Sequence, residues 1–335
     1  MSKNDKNRNT PIGLDVGTSR IVTARQAEQG FACESQLNAF VSIPHSRMTE
    51  SALSREHVPH VVEGGSIVVH GNESERFADL LHTELRRPMT RGLLNAGEPD
   101  SFKLILQIAG SMLGEVPSGQ KVCFTVPAAP LDAEQDLTYH EATLRQILTE
   151  MGCEASSINE GLAVIYSELA DTNYTGIGVS CGGGLCNVCF AYLSVPVLSF
   201  SIPKAGDFID ASAASVSGEL ANRIRTLKEE SFFLNGHFPD KLHQVLGVYY
   251  DEMIRAVVAG MREAFAAANR RAPKVVRPIP LVLSGGSALP KGFRERFEKI
   301  LQEGEFAVPL SDIRLAADPL TSTAKGALVA ALSEA

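Results

Sequence analysis

The apolar positions of this chain fall into short blocks, and two of the blocks end in nearly the same way. Ile12-Gly13-Leu14-Asp15-Val16 runs into Gly17-Thr18-Ser19, and Ile177-Gly178-Val179-Ser180-Cys181 runs into Gly182-Gly183-Gly184. Each is an apolar strand, then a turn of glycine and small hydroxyl residues, then a second apolar run, so each predicts a β-hairpin. Glycines let such a turn approach an anion closely, and consecutive N–H groups make a concavity of positive partial charge. Gly17, Thr18 and Ser19 in one half, and Gly182, Gly183 and Gly184 in the other, are therefore candidate phosphate contacts. One such turn per half predicts a phosphate chain clamped between two related domains. A third apolar run, Pro280 to Ser284, meets Gly285-Gly286-Ser287 before a helical pattern, another place where backbone can approach a ligand.

Between these blocks the spacing changes. The stretch from about 31 to 85 is less regular, with a hairpin predicted over Val61 to Val69 on the Gly64-Gly65 pair, and reads as a small inserted subdomain. Ser101 to Leu113 carries apolar residues at helical spacing, Lys121 to Val126 reads as a buried strand, and a helix is expected from about Asp132 to Met151. Alternating strands and helices imply an α/β protein with a parallel or mixed sheet. The segment from Ala205 to about Arg271 is mostly helical, with Leu242, Leu246, Tyr249, Met253, Val257, Met261 and Phe265 on one core-facing stripe. The expected division is a disordered tail over 1–11, a first domain over 12–150, a second over 151–315 with a helical insert at about 206–270, and a closing helix over 316–335. Without a low-complexity linker between the halves, the ligand cleft should lie at a tight domain interface.

Composition narrows the picture. At 335 residues the chain can support two cores. With 44% hydrophobic and 21% charged residues it reads as a soluble globular protein. No apolar run approaches the roughly 20 residues of a membrane span, and the polar first residues are neither a signal peptide nor an anchor, so a cytoplasmic setting is expected. A formal charge of −8 with scattered basic residues argues against nucleic-acid binding. Cys181, Cys186 and Cys189 have a C-x4-C-x2-C spacing used by iron–sulfur proteins, but no cysteine follows to complete it, so free buried thiols are expected. His57, His60, His70 and His82 lack a ligand spacing.

Taken in order, five segments resemble the nucleotide-binding motifs of the actin superfamily, the fold shared by actin, bacterial actins, seventy-kilodalton heat-shock chaperones and sugar kinases. Gly13 to Ser19 resemble its first phosphate loop and Asn159-Glu160-Gly161-Leu162-Ala163 its first connecting helix. Gly178 to Asn187 resemble the second phosphate loop, Gly285-Gly286-Ser287 the adenosine motif, and Asp318 to Ala327 the closing helix. Within the superfamily the chain is most similar to bacterial actins of the MreB and MamK kind, through Val69-His70-Gly71-Asn72-Glu73, Arg87 to Leu94, and Lys204-Ala205-Gly206-Asp207-Phe208-Ile209-Asp210. The resemblance implies an actin-like, ribonuclease H-like duplicated fold with a nucleotide cleft between its halves. Lys228 and Glu229 resemble the pair that reaches ribose and adenine. After them the chain departs from MreB, since Asn235 to Asp240 leads almost directly into the long helix.

The same resemblance implies ATP or ADP with Mg²⁺, a metal whose waters are held by one aspartate from each phosphate loop. Here Asp15 is the metal-side aspartate, through water, and Ser180 stands where the second belongs. Leu185 and Asn187 stand where bacterial actins show threonine and an acidic residue. Glu160 matches the position that orients or activates the attacking water, so Glu160 and Asp15 are the candidate catalytic residues. Read without the resemblance, Asp15 is a turn cap, Glu160 a helix-terminus acid, and Lys228 with Glu229 an exposed helical pair. Two functions follow as expectations. One is an actin-like protein that binds ATP, self-associates head to tail into filaments and hydrolyses ATP slowly. The other is a catalytically inactive homologue that uses nucleotide structurally and regulates a canonical actin-like or adaptor partner. A small-molecule kinase fits less well, because no substrate-domain aspartate base can be placed.

Overall fold

In the computed structural model the described residues are 10–131, 137–268 and 277–334. The expected tail falls almost wholly outside them, as does the expected start of the helix at Asp132. The first half begins with β1 (Ile12–Val16), β2 (Arg20–Gln26), β3 (Phe31–Leu37) and β4 (Phe40–Pro44), then α1 (Arg47–Arg55), β5 (His60–Glu63), β6 (Ser66–His70) and α2 (Glu73–Leu81). It continues through β7 (Met89–Thr90), β8 (Leu93–Leu94), α3 (Ser101–Leu113), β9 (Gln120–Val126), α4 (Thr138–Glu150) and β10 (Cys153–Asn159). The second half follows with α5 (Glu160–Glu168), β11 (Gly176–Cys181), β12 (Cys186–Tyr192), β13 (Val195–Ile202), α6 (Gly206–Ser217), α7 (Ala221–Ser231) and α8 (Lys241–Ala268). It ends with β14 (Ile279–Ser284), α9 (Phe293–Gln302), β15 (Leu310–Leu315) and α10 (Ser322–Ser333).

The two main sheets repeat one topology. In the first, β1 pairs antiparallel with β2 and parallel with β9, giving the order β10-β9-β1-β2-β3. In the second, β11 pairs antiparallel with β12 and parallel with β14, giving β13-β12-β11-β14-β15. Read from β1 and from β11 outward, the orders and directions correspond, which is the duplication that the paired hairpins predict. The fold is mixed α/β with two sheet-containing domains.

The central strands are buried on both faces. Ile12, Leu14, Ile105, Ile108 and Phe124 sit in the first core, while Ile177, Val179, Leu281 and Leu283 sit in the second. α6, α7 and α8 pack into that second core through Ile209, Ile224, Leu246, Met253 and Val257, with Leu242 and Tyr249 at its margin. The stripe read from the sequence faces inward, with Tyr250 fully buried beside it. The predicted hairpin on Gly64-Gly65 joins β5 to β6, with positive φ of 56° and 79° at the two glycines that match its tight turn. It belongs to a three-stranded sheet, β4-β6-β5, with its own small apolar cluster.

Between the main sheets α5 and α10 lie against each other closely enough that a Cβ at Gly326 would overlap the backbone of Ala163. Only glycine permits that approach, and it brings the N-terminus of α5 and the start of α10 to the same end of both sheets. The glycine turns after β1, β11 and β14 lie at that end.

Candidate functional site

The turn after β1 is closed by the Gly17 N–H donating to the Arg20 carbonyl at 2.9 Å. Asn38 braces it from outside, its side-chain amide donating to the Gly17 carbonyl at 2.9 Å and its backbone N–H to the Ser19 carbonyl at 3.0 Å. Thr18 is buried, and its hydroxyl accepts from the Gly92 N–H at 2.9 Å. In the turn after β11, the Gly182 carbonyl accepts from the Gly206 N–H at 3.1 Å and from the Ser287 hydroxyl at 2.9 Å, and the Gly183 carbonyl accepts from the Asp207 N–H at 2.8 Å. Its carbonyls are thus turned away toward α6 and the third turn. Among the described residues the Gly183 and Gly184 N–H groups take no hydrogen-bond partner, which leaves them as donors for a ligand. The two turns touch: a Cβ on Gly183 would strike the Ser19 side chain, and one on Gly184 would strike Thr18 and the Gly92 backbone. Gly285, at φ 90°, closes the third side with its Cβ position against the Cys181 backbone, so no other residue fits there.

Two carboxyl groups face each other under these turns. Asp15 accepts from the Thr125 hydroxyl on one oxygen and from the Thr323 hydroxyl on the other, both at 2.5 Å. Burial raises its pKa, against the lowering effect of those two donors. Glu160 opens α5, one residue after Asn159, whose side chain caps the helix by accepting from the N–H groups of Gly161 and Leu162. The Glu160 Oε2 accepts from the Asn187 amide at 2.8 Å and from the Ser180 hydroxyl at 3.3 Å. Asn187 is wholly buried, and its Oδ1 accepts from the Ala128 N–H at 2.8 Å, which fixes which way its amide points. Burial and then the charge of Asp15 push Glu160 up to about 8. At neutral pH Glu160 is therefore mostly protonated, because burial and the nearby Asp15 both disfavour its charged form.

Ion pairs surround the carboxyl pair. Lys228 meets Asp210 at 2.6 Å, with both side chains 7% exposed, so this pair is buried. Its neighbour Glu229 reaches across to Arg20 at 3.2 Å. Arg87 pairs with Asp207 at 2.5 Å and approaches the Ser19 hydroxyl at 3.4 Å. The candidate catalytic and binding residues read from the sequence line one cavity of about 280 Å³ between the halves: Asp15, Gly17, Thr18, Ser19, Glu160, Gly182, Gly183, Gly184, Lys228, Glu229, Gly285, Gly286 and Ser287. Sequence reasoning did not single out Arg20, Arg225 and Thr323, which line it too. Arg225 stands one helical turn before Glu229, a spacing that could have flagged it. Thr125 acts from behind the cavity wall through Asp15, and no local pattern announces a residue that works through another; Asn187, named from the sequence for its neutral side chain, also acts from behind the wall, through Glu160.

The donor set suits a divalent cation shared with phosphates. Asp15 is a single carboxylate held in place by two hydroxyls, and Mg²⁺ is commonly bound by one or two carboxylates with phosphate and water. Among the described residues no group of three or more His, Cys, Asp or Glu side chains could hold a metal alone. The cysteines Cys123, Cys153, Cys181, Cys186 and Cys189 are buried free thiols, and Cys33 is exposed.

Comparison with known proteins follows this geometry. The Volactin family profile matches residues 11–331. No curated protein sequence matches. Among solved structures, the MamK double helical filament is similar at 18% identity, with 97% of this chain and 98% of that one covered and a TM-score of 0.69. MreB5 of Spiroplasma citri bound to ADP is similar at 15% identity, with 96% and 95% covered and a TM-score of 0.64. A non-polymerising MamK mutant bound to AMPPNP is similar at 18% identity, with 97% and 99% covered and a TM-score of 0.56. At these identities the likeness establishes the actin-like two-domain fold. The family match over nearly the whole length and the duplicated sheets meeting at a shared cavity lead to one assignment: the chain belongs to the Volactin family and has an actin-like fold similar to that of MamK and MreB.

Proposed function

We propose that the protein binds ATP or ADP with Mg²⁺ in the cleft, assembles head to tail into cytoplasmic filaments and hydrolyses ATP slowly. The observation that carries this reading is the single cavity lined by three glycine turns drawn from both halves. One ligand long enough to touch all three would hold the halves together, and a nucleotide has a phosphate chain for two turns and a nucleoside for the third. The names of the similar structures support it, since one is bound to ADP, one to AMPPNP, and one is a double helical filament. Heterologous contacts that do not close give filaments. No described helix is long and apolar enough to cross a membrane.

The residues supply binding readily and base catalysis poorly. Free N–H groups of Gly183 and Gly184 would take phosphate oxygens without any side-chain reorganisation. Bound Mg²⁺ would neutralise phosphate charge, and Asp15 is the carboxylate placed to hold its water. Glu160 can orient a water by hydrogen bonding, but a carboxyl with a pKa of about 8 is mostly protonated at neutral pH and accepts a proton only from its ionised minority. The protonated Glu160 and the uncharged Ser180 also favour the second reading, an inactive homologue that regulates a canonical filament or adaptor.

The test is thermal unfolding with and without millimolar ATP and Mg²⁺, beside sedimentation over a concentration series. A nucleotide-dependent rise in Tm, absent in Gly183→Val, and a threshold in pelleting are expected. No shift with ATP or ADP would remove the cleft assignment, and a strictly monomeric profile would leave the regulatory reading.

A further inference from the structure

The turn after β1 is braced by one buried side chain whose own hydrogen bonding is incomplete. Asn38 lies between β3 and β4, wholly buried and outside the cavity lining. Its Nδ2 donates to the Gly17 carbonyl at 2.9 Å, while its Oδ1 is buried and takes no donor among the described residues. A buried acceptor without a donor is destabilising, so an apolar side chain would suit this position better if packing were all that counted. The backbone on either side is pinned, since the Leu37 N–H donates to Asn72 Oδ1 at 2.9 Å and the Gly71 N–H donates to the Ala39 carbonyl at 3.0 Å. Asn38 thus holds Gly17 from a fixed support.

The duplicated turn in the second half shows what that hold does. Gly17 and Gly182 stand at corresponding places, and each closes its turn by donating its N–H three residues on, to Arg20 at 2.9 Å and to Leu185 at 3.0 Å. Across a trans peptide the carbonyl and the next N–H point in opposite directions. The Gly182 carbonyl is drawn back by the Gly206 N–H and the Ser287 hydroxyl, which turns the unpartnered Gly183 N–H the other way. In the first turn the Asn38 amide does this alone. It draws the Gly17 carbonyl away from the cavity, and the Thr18 N–H, which has no partner among the described residues, is turned toward it.

We propose that Asn38 is a positioning residue for phosphate binding: by holding the Gly17 carbonyl back, its amide keeps the Thr18 N–H aimed into the cleft as a donor to a phosphate oxygen. This rests on the nucleotide reading above for the ligand. Without the Nδ2 bond the peptide between Gly17 and Thr18 can rotate, since glycine restrains its own backbone little, and the donor has to be aimed anew at each binding event. The second turn is aimed by backbone groups at the start of α6 and by Ser287, whereas the first depends on one side chain. A single substitution behind the cavity wall can therefore disable it.

The experiment is titration of the full chain with ATP and with tripolyphosphate, each with Mg²⁺, for wild type, Asn38→Leu and Asn38→Asp, which keep the number of side-chain heavy atoms. Ligand-free urea unfolding identifies a variant that fails to fold, and Asn38→Ser takes its place in that event. Asn38→Leu should weaken both ligands about tenfold, the worth of one hydrogen bond to a charged group, and Asn38→Asp should weaken them more, because its carboxylate repels the Gly17 carbonyl. Selective nitrogen-15 labelling of threonine follows the Thr18 amide, identified through Thr18→Ser. Its proton should move downfield when the wild type is saturated with ATP, and by less than half as much in saturated Asn38→Leu. A side chain that only supports the fold would leave the shift at saturation intact; that result, or unchanged affinities in both variants, would overturn the proposal. Failure of the wild type to bind ATP while tripolyphosphate binds would remove the nucleotide reading alone, with tripolyphosphate then serving in the shift measurement, and failure to bind either would remove both.

Discussion

The buried carboxyl pair gives a sharp expectation for stability against pH. Glu160 titrates at about 8 in the folded protein and near its ordinary 4.5 when unfolded. Between those values the folded state binds more protons than the unfolded one, so stability falls as pH rises and levels off above the folded pKa. The slope is at most about 1.4 kcal/mol per pH unit, and it flattens near pH 8. From about pH 6.5 to 8 the loss should therefore come to about 1.5 kcal/mol. Buried histidines act in the other direction and mostly lower down. His140 is pushed down to about 4 and His70 is also lowered, chiefly by burial, so their gain in stability with rising pH is largely complete by about pH 7. Glu160→Gln isolates the effect: a glutamine carbonyl still accepts from Asn187, and it cannot ionise. Urea denaturation of ligand-free wild type and Glu160→Gln at several pH values should show the wild type losing about 1.5 kcal/mol relative to the variant across that window. Parallel profiles would mean that Glu160 is ionised throughout, and the account of slow hydrolysis built on its proton would go with it.

Two further outcomes follow from the same region. Ser180→Asp would set a third carboxyl beside Glu160 in a site where Ser180 is 3% exposed, so ligand-free stability at neutral pH should drop by about 2 kcal/mol or more, while phosphate release with ATP should rise and depend more steeply on Mg²⁺. Denaturation and a Mg²⁺ titration of turnover check both halves, and no change in either would show that position 180 does not face the metal. Gly326→Ala would push a methyl group into the Ala163 carbonyl where α5 crosses α10, and because backbone cannot swing aside the cost should reach about 3 kcal/mol by denaturation.

The legible parts of the sequence were those in which the chain speaks locally. A hairpin with a glycine turn is written in consecutive residues, and so both phosphate-type turns, the Gly64-Gly65 hairpin and the helix over Ser101–Leu113 could be read directly. The repeated topology was foreshadowed because β1 and β11 carry the same pattern of apolar strand and small-residue turn. The helical pair Lys228-Glu229 would pass for a solvated face on spacing alone. It is instead buried at Lys228 and bridged at Glu229, because partners at Asp210 and Arg20 arrive from elsewhere in the chain. The environment of the carboxyls was the least legible feature. Asp15 depends on hydroxyls from Thr125 and Thr323, which lie far along the sequence, and no periodicity records that the fold gathers them.

That gathering explains how the site can tolerate its unusual second turn. Where the resemblance leads one to expect acids at positions 180 and 187, the chain has neutral donors, and both point at Glu160. Four carboxyls in so dry a space would have to keep several protons or draw in a metal before the cleft could close. With only two, and Glu160 mostly protonated at neutral pH, the Arg20–Glu229, Arg87–Asp207 and Arg225–Glu75 pairs join the halves against less repulsion. Asn187 contributes to the same end, since its amide links Glu160 to the Ala128 backbone of the first half. The neutral donors at positions 180 and 187 thus lower the electrostatic cost of bringing the two halves together around this site. On the proposed nucleotide reading, such a site would use its ligand more for fixing the arrangement of the halves than for timing their separation.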